Sequence, residues 1–416
     1  MFKKILIISV CLLPFSALAQ TQIIDEEIVI EEIAYLPQAS RGVASRTHHA
    51  KERTKAISKE SLEEKYNNFK NALDKAVGLT YNLDISVLGQ RGSPNGSKTA
   101  YQTQYYGSAN WNMYTSAIGS GSMQFAYTKV QYWGTSGQDI SDTIGVASLI
   151  NDYPTNSHSF DQLTYTHQFP DKLNWLSVSL GQFPMYNFDG TAYDSNQQTN
   201  FLNYALSQNG SASYPVASLG GYATITPNTN WSFTVGFQDA NNISGSQIET
   251  SDFHLKRYTS FVSASFTPTI KGLGQGQYSV LLYNQPWTQN QPETTNGWSV
   301  NVSQELSDKW AVFGRINGST GSESIKQSYV LGAVYNNPLG RNALDQIGFA
   351  TAINKMNKDV NGDGTRSVET VLEGYWAWGI SNFLTITPDI QFYINPALDT
   401  DNKTATVASL RATFMF

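Results

Sequence analysis

The last segment of the chain, Thr404–Phe416, constrains the fold more than any other feature of the sequence. Read in steps of two, one register contains Phe414, Ala412, Leu410 and Ala408, and the other contains Met415, Thr413, Arg411 and Ser409. An apolar face opposite a face with a charge and hydroxyls is expected of a strand with lipid on one side and water on the other. Because the chain stops on an aromatic residue, this segment is typical of the closing strand of a transmembrane β-barrel.

The segment before it repeats the alternation more regularly. Leu384, Ile386, Pro388, Ile390, Phe392 and Ile394 share one face, and Thr385, Thr387, Asp389, Gln391, Tyr393 and Asn395 share the other. An apolar exterior around a polar interior inverts the pattern of a soluble barrel. It fits a barrel that encloses a water-filled pore in a membrane.

The amino terminus has the features of an export signal. Two lysines precede the apolar run Ile5–Leu18, which contains the small-x-small sequence Ala17-Leu-Ala19. We therefore predict a secretory signal peptide over residues 1–19, cleaved before Gln20. The single cysteine, Cys11, would leave with it, so we expect neither a disulfide framework nor a cysteine metal site.

The composition excludes several classes of protein. After the signal there is no apolar run of about 18 residues, so no transmembrane helix is expected. The chain is 12% aromatic and only 14% charged, a mixture usual in barrels with aromatic girdles. Its net charge is −6, and loss of the two signal lysines makes the mature chain more acidic. An acidic exported protein is a poor binder of nucleic acid, so we expect no nucleic-acid partner. We also expect no cofactor.

Residues 20–77 differ from the rest of the chain in composition and in the spacing of their apolar residues. They begin with the acidic-aliphatic run Ile23–Ile33 and a basic linker. A helical stripe follows, formed by Leu62, Tyr66, Phe69, Leu73 and Val77. Ser61 and Glu64 have the spacing of a capping box. We predict a periplasmic segment with one amphipathic helix at the barrel mouth, and a barrel domain over residues 78–416.

Strand-like segments fill that barrel domain. We expect strands to begin near Leu79, Gln102, Ser122, Ser159, Asn174, Val216, Trp231, Leu255, Gln277, Gly297, Lys309, Ile325, Leu344, Ser367, Phe383 and Thr404. Their connections alternate between short and long, as periplasmic turns and outer loops do in bacterial barrels. The fold class predicted is therefore all-β, a transmembrane antiparallel barrel of about sixteen strands. The links at 267–276 and 336–343 are longer than this rule expects.

The longest connection, Met185–Pro215, is a candidate for function because loops of that length usually have one. In porins such a loop folds inward and narrows the pore. Its carboxylates and amides could hydrogen-bond sugar hydroxyls, and its aromatic faces could stack on a pyranose. The residues we single out are Asp189, Asp194, Asn200 and Asn203. The alternative is a polar loop on the outer surface.

Four stretches resemble the carbohydrate-selective porins of the OprB family. They are Trp310-Ala-Val-Phe-Gly-Arg315; Tyr335-Asn-Asn-Pro-Leu-Gly-Arg341 with Asp345 and Ile347-Gly348; Glu369-Thr-Val-Leu-Glu373 with Thr387-Pro-Asp-Ile-Gln-Phe-Tyr-Ile-Asn-Pro396; and Leu180-Gly-Gln182 with Asn200-Phe-Leu-Asn203. The resemblance covers about 173–416 and implies a sixteen-stranded, carbohydrate-selective porin. We expect the protein to pass small sugars passively across the outer membrane, and its functional unit to be a monomer or a homotrimer. Asn336-Asn337, where relatives favour a glycine after the tyrosine, and the Ile23–Ile33 run depart from the family pattern.

Five side chains fall in the lumen-facing registers of the predicted strands. They are Arg315, Glu373, Asp389, Gln391 and Arg411. A charged side chain on the lipid face would cost about 2–4 kcal/mol near the bilayer midplane, so the inward orientation is favoured. Rings of charge in a lumen are a usual selectivity device, which makes these residues candidates for the pore lining. The alternative is an ion pair in the wall that braces the barrel.

Metal binding is weakly indicated. Asp359-Val-Asn-Gly-Asp-Gly364 resembles the start of a calcium loop, but Thr370 stands where the bidentate glutamate belongs. His48-His49 is a pair without further ligands. We predict no metal site.

Other functions remain as alternatives. His158, His167 and His254 have no nucleophile in a recognisable motif, so we do not expect an enzyme. The Ile23–Ile33 run resembles the energy-coupling segment of gated receptors, but the chain is too short for a plug and about 22 strands. A porin for siderophores or iron compounds on the same barrel stays open, as does a barrel for adhesion or envelope anchoring.

Overall fold

The structure, a computed structural model, describes residues 62–94, 98–194, 196–289, 291 and 293–416. The predicted signal peptide, the acidic-aliphatic run, the histidine pair and Ser61 lie outside the described residues.

Most of the described chain is strand. The strands are β1 Leu79–Ser93, β2 Thr99–Ser116, β3 Gly119–Tyr132, β4 Ser157–Gln168, β5 Leu176–Phe183, β6 Ser218–Ile225, β7 Trp231–Asp239, β8 Tyr258–Phe266, β9 Thr269–Ile270, β10 Gly274–Gln285, β11 Thr295–Glu305, β12 Trp310–Ser319, β13 Ile325–Asn336, β14 Gln346–Met356, β15 Val368–Gly379, β16 Leu384–Ile394 and β17 Thr404–Met415. The helices are α1 Leu62–Val77, α2 Gly137–Ile144, α3 Tyr204–Ser207 and α4 Lys358–Asn361.

The strands form a closed antiparallel barrel. Each long strand pairs with the next along the chain, β8 pairs directly with β10, and β17 returns to pair with β1. The two-residue β9 lies outside this ring and pairs only with the start of β10. Sixteen strands therefore make the wall, as predicted, and their starts differ from the predicted ones by at most three residues.

The seam between β17 and β1 has the predicted orientation. Leu410 pairs with Gly89 and faces outward with 57% of its surface exposed, whereas Arg411 faces the interior and is 1% exposed. In β16, buried Thr385, Thr387, Asp389, Gln391 and Tyr393 alternate with residues on the outer face. In β16 an apolar outer face therefore lies opposite a polar inner face.

Short and long connections lie at opposite ends of the barrel, which we call the short-turn end and the long-loop end. The short-turn end faces the periplasm in bacterial barrels. The link between β8 and β10 is longer than expected because Thr269 and Ile270 form β9 and fold back on Gln275 and Gly274.

Helix α1 confirms the predicted amphipathic helix and packs at the short-turn end, beside the seam. The ring of Tyr66 lies 6.4 Å from Tyr81, 5.9 Å from Phe383 and 6.5 Å from Phe416, centroid to centroid. Trp111 Nε1 donates a hydrogen bond of 3.0 Å to the carbonyl of the last helical residue. Phe416 thus contacts the helix through Tyr66 and strand β1 through its backbone hydrogen bonds with Leu83. Among the described helices, none has the length and apolar character needed to cross a membrane.

Candidate functional site

The long inward loop, residues 184–217 between β5 and β6, crosses the interior of the barrel. Its start is apolar: Met185 and Phe188 lie in a single 3-10 turn and are buried. They pack with Phe183 against inward-facing Phe261, Leu281 and Tyr283. Burial of these side chains favours a loop that folds inward, because an outward path would expose them to water.

Arg315 holds the middle of this loop to β12. Its guanidinium donates to Asp194 at 3.0 Å and to the carbonyls of Ala205 and Leu206 at 2.9 Å each. Both side chains of the Arg315–Asp194 ion pair are fully buried. The planar fork of arginine suits this role, since it can serve a carboxylate and two carbonyls together.

Glu373 holds the loop from the opposite wall. Its carboxylate accepts hydrogen bonds from two successive backbone amides, those of Leu202 at 2.5 Å and Asn203 at 2.9 Å. The Asn203 side chain caps α3 through a bond of 3.0 Å from the Ala205 amide. A wall carboxylate and a local cap together fix this turn of the loop.

Arg411 and its neighbours form a third point of attachment. The guanidinium of Arg411 donates to the carbonyls of Gln197 and Asn200, the latter at 2.9 Å. Asp389 lies on the adjacent strand opposite Ser409 and interacts electrostatically with Arg411 and Glu373. The closing strand therefore also positions the loop.

Asp189 joins the two halves of the loop to β11. It accepts hydrogen bonds from Asn209 at 2.8 Å, Tyr214 at 2.9 Å and Asn301 at 2.9 Å. Asn200 adds a further attachment of the loop to the wall, because its side-chain amide donates a hydrogen bond of 3.4 Å to Gln346 of β14.

All nine residues singled out from the sequence thus face the interior. Arg315, Glu373, Asp389, Gln391, Arg411, Asp189, Asp194, Asn200 and Asn203 are each at most 6% exposed. Most of the hydrogen bonds of these side chains join the barrel wall to an inward loop, whereas the bracing alternative expected an ion pair within the wall. Contact with a solute stays a prediction.

The sequence reasoning missed a second inward segment. The second inward loop, residues 133–156 between β3 and β4, contains α2, which begins at a capping box formed by Ser136 and Asp139. That cap lowers the pKa of Asp139, because the amide and hydroxyl of Ser136 donate to its carboxylate. Gln391 donates to the carbonyl of Ile150 at 2.9 Å, so it holds this loop and not the long one. Glu369 stands in a stretch that resembles the family, but the sequence assigned it no role; its carboxylate accepts from the backbone amides of Ala147 and Ser148 at 2.9 Å each.

The calcium-like segment has a structural role. Asn361 donates from its side-chain amide to the carbonyl of Ser324 at 2.8 Å and accepts from the Ser324 hydroxyl at 2.7 Å. Within the described ranges no group of three or more His, Cys, Asp or Glu side chains is placed to hold a metal ion.

A closed barrel with an apolar outer wall and a loop folded into its interior is the architecture of a porin. The model of the family described as "Carbohydrate-selective porin, OprB family" matches residues 262–416. Porin AaxA of Chlamydia abortus is 40% identical over 355 residues, covering 83% of this chain and 79% of the relative. Porin AaxA of Chlamydia pneumoniae is 38% identical over 359 residues, covering 83% and 81%.

Solved structures agree on the fold. The high-pH structure of Pseudomonas putida OprB superposes with a TM-score of 0.69 at 17% identity, covering 84% of this chain and 97% of that one. The low-pH structure gives a TM-score of 0.54 at 15% identity, covering 86% and 100%. The chain belongs to the OprB family of porins, which are outer-membrane channels and not enzymes.

Proposed function

We propose that this porin passes small sugars across the outer membrane by passive diffusion. The observation that carries the proposal is the chemistry of those side chains of the long inward loop that remain partly exposed. Among its described residues, the large side chains that stay partly exposed are Tyr186, Tyr204, Gln208 and Tyr214, apart from Val216 near its end. Three aromatic rings and an amide are suited to a solute with an apolar ring face and many hydroxyls.

The rings would act by stacking and the polar groups by hydrogen bonding. Burial of most of the Tyr204 side chain raises its pKa, and the carboxylates of Glu323 and Asp152 raise it further. A tyrosine hydroxyl is a neutral donor at neutral pH even without such a shift. Tyr214 is oriented by its bond to Asp189. Such contacts are weak enough to release the solute, which passive conduction requires.

In this proposal the nine buried residues mainly hold the long inward loop in place rather than bind the solute themselves. They fix the course of the long inward loop and so determine where its tyrosines lie. Asp389 and Arg411 would contact a solute only where the loop leaves them accessible. We further propose export with cleavage before Gln20, contact with outer-membrane lipid, and a functional unit that is a monomer or a homotrimer.

Conductance in planar lipid bilayers tests the sugar proposal. We expect mono- or disaccharides to reduce the ion current in a dose-dependent manner, because a bound sugar occupies the aperture. Charged solutes of similar size and ferric chelates serve as comparisons. Block by ferric chelates without block by any sugar would favour the siderophore alternative, and block by charged solutes alone would overturn both.

Replacing Tyr204 tests the stacking surface. Tyr204→Ala removes the ring, and we expect the half-blocking sugar concentration to rise about fivefold, which corresponds to about 1 kcal/mol. Tyr204→Phe keeps the ring and loses the hydroxyl, so its half-blocking concentration should stay near the native value. Equal effects of the two substitutions would show that the ring face does not contribute.

A further inference from the structure

We infer that α1 is an interfacial membrane helix. It lies along the outer face of the barrel at the short-turn end and rests its apolar flank in the adjoining phospholipid leaflet. This role is independent of the solute that passes through the barrel.

Helix α1 packs against wall side chains that point outward. Tyr81 belongs to the same register of β1 as Leu83 and Val87, which are both exposed on the outer face. Trp111 lies on that face of the neighbouring strand β2 and is exposed as well. The ring of Tyr66 contacts Tyr81, and the last carbonyl of α1 accepts a hydrogen bond from Trp111. The helix therefore lies against the outside of the wall and not beneath the pore.

Helix α1 also runs around the rim of the barrel. Its last residue meets Trp111 of β2. Nearer its start, Tyr66 lies beside Tyr81 of β1, Phe416 at the end of β17 and Phe383 just before β16. The helix thus passes neighbouring strands in turn at one level. Because the strands cross the membrane, a helix laid across their ends lies roughly parallel to the membrane plane.

This position covers an edge of β1. The chain ends at Phe416, whose backbone is hydrogen-bonded to Leu83, whereas β1 starts before that position. Leu79–Asn82 therefore pair with β2 on one side, and among the described residues no strand pairs with them on the other. Lys70 of α1 reaches this edge, since its Nζ donates to the side-chain oxygen of Asn82 at 3.4 Å. Unpaired backbone is costly beside lipid, and a covering helix is one way to protect it.

The wall at the same level carries an aromatic girdle. Tryptophans on the outer face stand at the short-turn ends of four strands, namely Trp111 of β2, Trp231 of β7, Trp310 of β12 and Trp378 of β15. Tryptophan is enriched where a membrane meets water. Since α1 ends on Trp111, the helix lies at the depth of the headgroups.

One flank of α1 is apolar and uncovered. Phe69 follows Tyr66 on the apolar stripe but is 54% exposed, and Ala76 on the same flank is exposed too. Lys65, one turn before Phe69, is exposed and long enough to place its ammonium group among lipid phosphates. Asn71, also exposed, points about 160° away from Phe69 around the helix axis. The apolar flank continues the lipid-facing wall, so phospholipid is the partner that fits it.

Lipid-borne quenchers test this position in the full-length porin folded into phospholipid vesicles. Phe69→Cys carries a fluorophore, and Cys11, the only native cysteine, is replaced by serine. We expect a nitroxide near the headgroups to quench this probe about threefold more than a nitroxide at the acyl-chain end, because an interfacial helix buries its apolar face only about 5–10 Å into the headgroup boundary.

Three matched positions calibrate the result. A probe at Asn71→Cys should be quenched mainly by iodide in the water. A probe at Leu410→Cys, in the middle of β17 on the outer face, should show the reverse depth order, with stronger quenching from the chain end. Ala76→Cys should repeat the behaviour of Phe69→Cys, and it carries the test if the latter does not fold.

Two outcomes would overturn the inference. Iodide quenching at position 69 as strong as at position 71, with no effect of either nitroxide, would place the flank in the periplasm. Shielding of position 69 from every quencher would mean that protein covers the flank, either another part of this chain or a second copy.

Discussion

Arg315→Ala is expected to free the middle of the long inward loop and to raise the single-channel conductance strongly. The substitution removes one partner of a fully buried ion pair and the donors to two loop carbonyls. Loss of one partner of a buried pair costs about 3–5 kcal/mol, because the remaining charge stays away from water. The wall keeps its strand pairing, so the loop bears most of this loss.

Chymotrypsin cleavage at Phe201 measures release of the loop independently of conductance. Phe201 is 0% exposed and lies between the attachment points at Arg315 and Glu373. We expect no cleavage there in the native porin and cleavage in Arg315→Ala, with the barrel still migrating as a folded species on an unheated gel.

Matched substitutions separate charge from geometry. Arg315→Lys keeps the charge but lacks the planar fork, so we expect intermediate conductance and cleavage. Arg257→Ala removes a cation that stacks on Trp287, 3.5 Å from its ring centre, at the long-loop end. It should leave both measurements unchanged. A folded Arg315→Ala porin with native conductance and an uncut loop would contradict the role assigned to this arginine.

The wall was predictable because its determinants are local. A strand alternates its two faces with a period of two, and lipid excludes charge from one of them. Arg411 and Leu410 are adjacent in sequence, and their orientations follow from that rule alone. The same reasoning predicted the inward orientation of Glu373 and Asp389.

What the inward charges bind was not predictable, since their partners are distant in sequence. Glu373 meets the amide of Leu202, 171 positions away, and Arg411 meets Asn200 across 211 positions. A polar, aromatic loop of this composition also suits an outer surface. Only the closed ring shows which wall residues face which backbone groups.

The second inward loop shows the limit of a local signal. Ser136 and Asp139 have the spacing of a capping box, so α2 could have been found in the sequence. Nothing in that motif tells whether the helix points into the lumen. The helix can enter because Gly92 has no side chain, since a Cβ there would lie 2.7 Å from Ile140, and the hydrogen bonds to Glu369 hold the loop inside. Both features depend on the folded barrel.

Leu410→Arg is expected to destabilise the folded barrel in lipid by about 2–4 kcal/mol, the cost of an arginine near the bilayer midplane. Leu410 lies in the middle of β17, faces outward and is 57% exposed. The native arginine one position along causes no such loss, because its side chain points inward to loop carbonyls. Urea titration of the porin folded into lipid vesicles measures the difference.

Thr404→Arg is the matched control for depth. Thr404 begins the same strand, lies on the same outer face and is exposed, but it stands at the long-loop end. An arginine near the interface costs about 0–1 kcal/mol, so we expect a much smaller loss than at Leu410. If both substitutions destabilised the barrel equally, depth in the membrane would not explain the loss, and the outward apolar face of β17 would not be the lipid-facing surface.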